Sequence, residues 1–99
     1  MAHFVYRLIP PRPTFAFDMT ETEAELMGKH AAYWREQMDR GRVVVFGPVM
    51  DPAGVWGLGV LDTADEDEAR SLVLADPVID AGVGTYEIHA IDAVVAGTD

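Results

Sequence analysis

The residue best suited to proton transfer is a histidine within a helical apolar stripe. Met27, His30, Ala31, Trp34 and Met38 recur at helical spacing and predict one inward-facing stripe. An imidazole ordinarily titrates near neutrality, and a carboxylate on its second nitrogen would fix the tautomer and stabilise the imidazolium. Such a pair is the base-plus-orienter part of a general acid–base site. The alternative is a structural histidine in the core, with a hydrogen bond to Asp51 or to a backbone carbonyl.

Asp51 is the carboxylate that the predicted topology brings towards His30. Nine residues of helix separate His30 from Asp39, a rise of about 14 Å. Five residues of strand lead from Arg42 to Gly47, about 17 Å. The imidazole and this strand end therefore lie at similar height, and a slight fold-back of the next turn would pair Asp51 with His30. The residues that end the strand complete the predicted pocket wall: Phe46, Gly47 and Pro48.

Three further side chains are candidates for the same pocket, each with a simpler alternative. Arg7 can line it from the first strand, or can keep its charged end in water. Arg12 can meet an anionic substrate from a proline-rich loop, whose Phe15 and Phe17 either cap the pocket or only cover a helix end. Tyr33 can reach the pocket's edge, and core packing explains it equally well.

Other chemistries find little support in the sequence. The three histidines, at positions 3, 30 and 89, share no metal-ligand spacing. The acidic run 65–68 lacks the alternating oxygen ligands and central glycine of a calcium loop. The sequence contains no phosphate-binding glycine loop and no nucleophile elbow. We therefore expect neither a metal nor a cofactor.

Composition bounds the class of protein. The chain has 99 residues, 49% of them hydrophobic, which predicts one globular domain. No cysteine is present, which excludes disulfides, thiolate metal sites and a thiol nucleophile. The net charge of −10 argues against nucleic-acid and anionic membrane surfaces. With no apolar run long enough for a membrane span and no signal-like start, we expect a cytoplasmic protein.

The helices and strands that position these residues are predicted from hydrophobic periodicity and from residues that cap or end such elements. Thr20 opens a helix with Glu23 at capping-box spacing, and Gly41 ends it. The proline-rich segment 10–19 is predicted as a loop, and the second helix is expected to fray by Asp76, before a proline. Strands are predicted at 4–9, 43–46, 55–61 and 85–94, and a second helix starts near 63–68.

The order strand, helix, strand, strand, helix, strand predicts an α+β, ferredoxin-like βαββαβ fold. This fold has a four-stranded antiparallel sheet with both helices on one face. The other sheet face, for which Trp56 and Tyr86 are candidates, would be left open and would favour a partner subunit. The alternative is a half-polar face left in water.

Two stretches of the sequence resemble the YCII-related family. The first is His30 to Pro48 (HAAYWREQMDRGRVVVFGP) with Asp51 beyond it, and the second is residues 65–82 (DEDEARSLVLADPVIDAG). Each piece alone is common, but their order and spacing over about residues 26–92 are fairly specific. The long loop IPPRPTFAFDM departs from the simpler family pattern.

The resemblance implies a dimeric α+β barrel, in which two ferredoxin-like units pair through their sheet faces. From the sequence itself we expect a single domain over residues 1–95 with a loose tail at 96–99. The resemblance also implies a pocket around a His–Asp pair, carried over here as His30 and Asp51. The aspartate of the family's Asp-Pro corresponds to Asp76, which is expected to have a structural or pocket-lining role. Relatives with this fold act on ring compounds, by dehalogenation or lactone isomerisation.

Three hypotheses for function remain open. In the first, His30 and Asp51 form the acid–base pair of an enzyme that acts on a small, cyclic or aromatic metabolite without a cofactor. In the second, a dimeric module uses the same pocket to bind a ligand, or its surface to bind a partner protein, without catalysis. In the third, the chain is a structural subunit with a filled interior around His30.

Overall fold

The structure, a computed structural model, describes residues 2–97 and has the predicted order of four strands and two main helices, with two short helices in addition. The four strands are β1 (Ala2–Ile9), β2 (Val43–Val49), β3 (Trp56–Thr63) and β4 (Thr85–Ile91). The helices are α1 (Phe15–Asp18), α2 (Glu21–Asp39), α3 (Glu66–Leu74) and α4 (Pro77–Asp80). The predicted α+β, ferredoxin-like fold is therefore confirmed. The last two residues of the predicted tail, Thr98 and Asp99, lie outside the described residues.

The four strands form one antiparallel sheet in the order β2-β3-β1-β4. Alternate β1 residues, Phe4, Tyr6 and Leu8, are buried, and they pack with helix residues such as Trp34 and Val73. Since side chains alternate across a strand, one sheet face carries the core and the helices, and the other is left uncovered within residues 2–97. The core thus lies between the helices and the central strands.

Helix α2 is specified locally at both ends. The Thr20 hydroxyl accepts from the Glu23 amide at 3.1 Å, and the Glu23 carboxylate accepts from the Thr20 amide at 2.9 Å. This is the predicted capping box, which satisfies two otherwise unpaired backbone donors. At the other end Gly41 takes a φ of 77°, which a glycine adopts without steric strain. These local signals determine where the helix begins and ends.

The predictions for the segment 10–19 and for the end of β2 were wrong. The segment 10–19 contains a short helix, α1, because Arg12 and Thr14 both hydrogen-bond the Asp18 carboxylate and hold the turn closed. Strand β2 does not end at Gly47-Pro48 but continues to Val49. A proline is tolerated there because β2 is an edge strand, where a missing backbone donor leaves no neighbouring strand unpaired.

The uncovered side of the sheet, called the open sheet face below, carries Trp56 but not Tyr86. Tyr86 pairs with Leu8 in the sheet register and packs against the core. The main side chains of the open sheet face are Val5, Arg7, Val45, Trp56, Leu58, Val60, Asp62, Glu87 and Ile91. In the described part of the chain, no helix combines the length and the apolar character that crossing a membrane requires.

Candidate active site

A cavity of about 330 Å³ lies between α2, the segment 10–19 and the strands β2 and β3. Helix α2 contributes Met27, His30 and Trp34 to its wall, and the sheet contributes Phe46 and Pro48. Most of the wall is apolar, as is common for cavities that hold small organic molecules. Among its described lining residues, His30 is the one whose side chain ordinarily titrates near neutrality.

The imidazole of His30 is held by a buried carboxylate. Nδ1 of His30 lies 2.8 Å and 3.0 Å from the two carboxylate oxygens of Asp76. The Asp76 side chain has no exposure to solvent, and that of His30 has 15%. Because the carboxylate occupies Nδ1, Nε2 is the ring nitrogen left for a molecule in the cavity.

Three more groups donate hydrogen bonds to the same carboxylate. Its Oδ2 accepts from the Tyr6 hydroxyl at 2.9 Å and from the Trp34 indole N–H at 2.7 Å. Its Oδ1 accepts from the backbone N–H of Val78 at 3.0 Å. An indole N–H and a backbone N–H can only donate, so Asp76 acts as an ionised acceptor and His30 carries its proton on Nδ1.

Local sequence rules explain how these groups come together. Asp76 precedes Pro77 and has extended backbone angles (φ −61°, ψ 125°), which end α3 and make it the N-cap of α4. Trp34 lies four residues after His30, so both project from the same side of α2. Tyr6 reaches the carboxylate from β1, because alternate residues of that strand face the helices.

The electrostatics of the site favour a charged carboxylate and a neutral phenol. Burial by itself raises the pKa of Asp76, but the bonds and charge of His30, with the bonds from Trp34 and Val78, outweigh it and leave the pKa below its ordinary value. Burial, and then the negative charge of Asp76, raises the pKa of the Tyr6 phenol far above its ordinary range. Tyr6 therefore remains a neutral donor to the carboxylate.

The geometric prediction that paired His30 with Asp51 is corrected by these contacts. Asp51 accepts from the Ala53 backbone N–H at 2.9 Å and from the Trp56 indole N–H at 3.2 Å. It thus closes its own turn and holds Trp56, whose ring lies on the open sheet face beside Arg7. Strand length predicts the height of the loop after β2 but not where its side chains point.

The other predicted pocket residues divide into three groups. Phe46, Gly47 and Pro48 line the cavity and lie within β2 rather than at its end. Asp76 lies directly behind His30, outside the cavity lining. The remaining three, which do not line the cavity, are Arg7, Arg12 and Tyr33.

These three side chains are engaged elsewhere. Arg7 lies on the open sheet face, with its guanidinium 4.8 Å from the Trp56 ring centre. Arg12 binds both oxygens of Glu23, at 2.8 and 3.0 Å, and lowers the pKa of that carboxyl to about 2. The Tyr33 hydroxyl donates to the Leu72 carbonyl at 2.7 Å.

Sequence reasoning missed Tyr6 and Trp34 as site residues, because both fit the pattern of plain core residues. A buried indole usually finds an acceptor for its N–H, so a tryptophan on the stripe one turn from His30 was the available signal. Phe15 is buried and lines the cavity, whereas Phe17 is 77% exposed and points elsewhere. One of the two loop aromatics therefore covers the cavity.

The arrangement of side chains in the site permits proton transfer. Among residues 2–97, no cluster of three or more His, Cys, Asp or Glu side chains is arranged to hold a metal ion. An imidazole with an anionic carboxylate on Nδ1 can accept a proton at Nε2, and the carboxylate then stabilises the imidazolium. This chemistry needs the cavity, the imidazole and Asp76 together.

Comparisons with known proteins agree with the fold. A solved structure of 5-chloro-2-hydroxyhydroquinone dehydrochlorinase (TftG) from Burkholderia phenoliruptrix AC1100, in complex with 2,5-dihydroxybenzoquinone, is similar with a TM-score of 0.62 at 20% identity. The match covers 90% of this chain and 91% of that chain. No curated protein matches the chain significantly. The sequence model of the YCII-related domain matches residues 3–92, so the chain belongs to the YCII-related family.

Proposed function

We propose that the chain is a small-molecule enzyme in which His30 is the general acid–base and Asp76 orients it. The observation that carries the proposal is the 2.8 Å contact between Asp76 and His30 Nδ1, beside an apolar cavity. Nε2 is then the nitrogen that meets the substrate. Asp51, which the sequence favoured as the orienting carboxylate, takes the supporting part of holding Trp56.

The cavity suits a single, largely apolar ring. Its volume of about 330 Å³ is near the lower end for ligand sites. Phe15, Trp34 and Phe46 provide aromatic walls. No Lys, Arg, Asp or Glu is among its described lining residues, which favours a substrate without a permanent charge. The dehydrochlorinase with a similar fold acts on a substituted hydroquinone, which supports a hydroxylated ring as the substrate class.

In the proposed reaction, Nε2 takes a proton from a hydroxyl or an acidic C–H of the ring. The electron pair left behind delocalises into the ring system. The imidazolium then returns the proton to a ring carbon, which is an isomerisation. If that carbon carries chlorine, Nε2 can take a second hydroxyl proton, and the electron pair released forms a carbonyl and a ring double bond as chloride leaves, which is an elimination. A positioned general acid–base contributes about 10²–10⁴-fold to such a step.

The test is turnover of hydroxylated quinols, chlorinated quinols and unsaturated lactones by wild type, His30→Gln and His89→Gln. His89 is an exposed histidine on the open sheet face, away from the cavity, with its Nε2 3.0 Å from Glu87, so its replacement is the matched control. We expect His30→Gln to lower kcat by about 10²–10⁴ with little change in KM, and His89→Gln to keep full activity.

The same assay separates the enzyme from a binding module. A ligand that binds wild type and His30→Gln equally, with no turnover by either, would refute the catalytic proposal and favour a non-catalytic module. Equal turnover by wild type and His30→Gln would refute the role of His30.

We also propose that two copies of the chain pair through the open sheet face. Val45 is 47% exposed there, and Ile91 on the same face is also exposed. Arg7 Nε and Asp62 Oδ1 are buried from water and have no hydrogen-bond partner within residues 2–97. Buried polar atoms are rarely left unpaired in native proteins, so a second subunit that supplies partners fits this face.

Light scattering on purified protein tests the pairing. Val60→Asp places a charge at the centre of the open sheet face, and we expect it to convert a dimer into a monomer. Leu74→Asp makes the same kind of change at an exposed position at the end of α3 and should leave the dimer intact. A wild-type monomer at high concentration would refute the pairing without touching the proposal for His30.

A further inference from the structure

The carboxylate of Asp76 is surrounded by more donors than orienting a histidine requires. A carboxylate offers about four lone-pair positions. The imidazole uses part of this capacity, and the Tyr6 hydroxyl, the Trp34 indole and the Val78 backbone N–H use the rest. Two of these donors, the Tyr6 hydroxyl and the Trp34 indole N–H, are side-chain groups from different elements, β1 and α2.

We propose that Tyr6 and Trp34 are positioning residues that set the proton affinity of His30 by drawing negative charge away from the Asp76 carboxylate. The catalytic consequence of this inference rests on the proposed function. The electrostatic relation itself does not, because it concerns an equilibrium of the free protein.

The single negative charge of the Asp76 carboxylate is shared among several hydrogen-bond donors. Each N–H or O–H that binds a carboxylate oxygen stabilises the anion and reduces the field that it exerts on other groups. The Tyr6 and Trp34 bonds both fall on Oδ2, the oxygen nearer to His30 Nδ1. Removal of either donor leaves more charge facing the imidazole, which then holds its proton more firmly.

Few other groups compete for this role. From α2, Tyr33 is the other titratable neighbour, and burial followed by the charge of Asp76 raises the pKa of its phenol, so it stays neutral. Its hydroxyl donates to the Leu72 carbonyl and not to the carboxylate. From α4 the contribution is the backbone N–H of Val78, which no side-chain substitution removes.

The experiment follows the imidazole titration of His30 by NMR in the intact protein. Tyr6→Phe removes one hydroxyl and keeps the ring that packs in the core. Tyr33→Phe is the matched control, because it makes the same chemical change in the same aromatic cluster but breaks no bond to Asp76. The His30 signal is assigned by its absence in His30→Gln, which separates it from His3 and His89.

We expect the titration midpoint of the imidazole to move to higher pH by about half a pH unit or more in Tyr6→Phe, and to stay in place in Tyr33→Phe. Trp34→Phe removes the second donor and should move the midpoint in the same direction. If neither variant moves it further than Tyr33→Phe does, or if both move it to lower pH, the inference is overturned.

The two proposals fail separately. A raised midpoint in Tyr6→Phe, together with turnover that does not depend on His30, would refute the proposed enzyme and leave the charge relation standing. Loss of turnover in His30→Gln with an unmoved midpoint in Tyr6→Phe and Trp34→Phe would do the reverse.

Discussion

Asp76→Asn is the substitution whose effect the structure predicts most fully. The side chain is inaccessible to solvent, and four groups donate to it. An asparagine keeps one acceptor oxygen and replaces the other by an NH₂ group, which cannot accept. If the oxygen serves Tyr6 and Trp34, the NH₂ group faces the backbone N–H of Val78, and that donor is left unpaired.

The magnitude follows from the bonds that are weakened or lost. Two bonds to a charged acceptor become bonds to a neutral one, at about 1 kcal/mol each, and a buried unpaired N–H costs about 1–3 kcal/mol. The sum is roughly 3–5 kcal/mol, the same range as for breaking a buried charge pair. For a domain of this size, a loss of 3 kcal/mol lowers Tm by about 12–24 °C.

The assay is urea unfolding at neutral pH with a matched control. Asp51→Asn makes the same change at an aspartate that accepts two bonds in a partly exposed turn, and we expect it to cost no more than about 1 kcal/mol. Asp76→Asn should also allow His30 Nδ1 to become an acceptor and place the proton on Nε2, which removes the base. A free energy of unfolding for Asp76→Asn within about 1 kcal/mol of wild type would refute this account of the site.

Three further predictions concern acid stability, the cap of α2 and the loop after β2. The pKa of Asp76 is depressed in the folded protein, so this carboxylate contributes its full stabilisation above its unfolded pKa of about 4 and loses it as the pH falls through the folded pKa. Asp76→Asn should therefore abolish this part of the acid dependence of the free energy of unfolding, measured by urea titrations between neutral pH and pH 2. An unchanged dependence of that free energy on pH would contradict the prediction. Thr20→Ala removes the capping box and should lower the free energy of unfolding by about 1 kcal/mol, whereas Thr22→Ala, on an exposed first-turn position, should change it far less. Gly54 has a φ of 145°, and a Cβ there would meet the Pro13 backbone at 3.1 Å. Gly54→Ala should therefore destabilise the contact between the two loops by more than about 1 kcal/mol. A thermal melt with a Tm at or above that of wild type would show that the loops adjust freely.

The family resemblance and the open sheet face illustrate two different kinds of sequence information. The order of motifs from His30 onwards led to the YCII-related family, and the match over residues 3–92 confirms it. Alternation along β3 indicated that Trp56 and its glycine neighbours face opposite ways. It could not say which side the helices cover, and Tyr86 was accordingly assigned as a candidate for the wrong face.

The sequence by itself determined what depends on near neighbours. The capping box at Thr20, the helix end at Gly41 and the alternation of β1 are short-range effects, so they can be read from a few consecutive residues. His30 was recognisable for the same reason, since a titratable ring on an apolar stripe is a local anomaly.

Tertiary structure alone decided which carboxylate meets that imidazole. Asp76 is 46 positions away in the chain and reaches His30 because α4 packs beside α2. Asp51 was nearer in the sequence, but the indole of Trp56 and its own turn satisfy it first. Burial explains the choice: a carboxylate without access to water must collect donors from several elements at once, and only the packed fold brings such donors to one point.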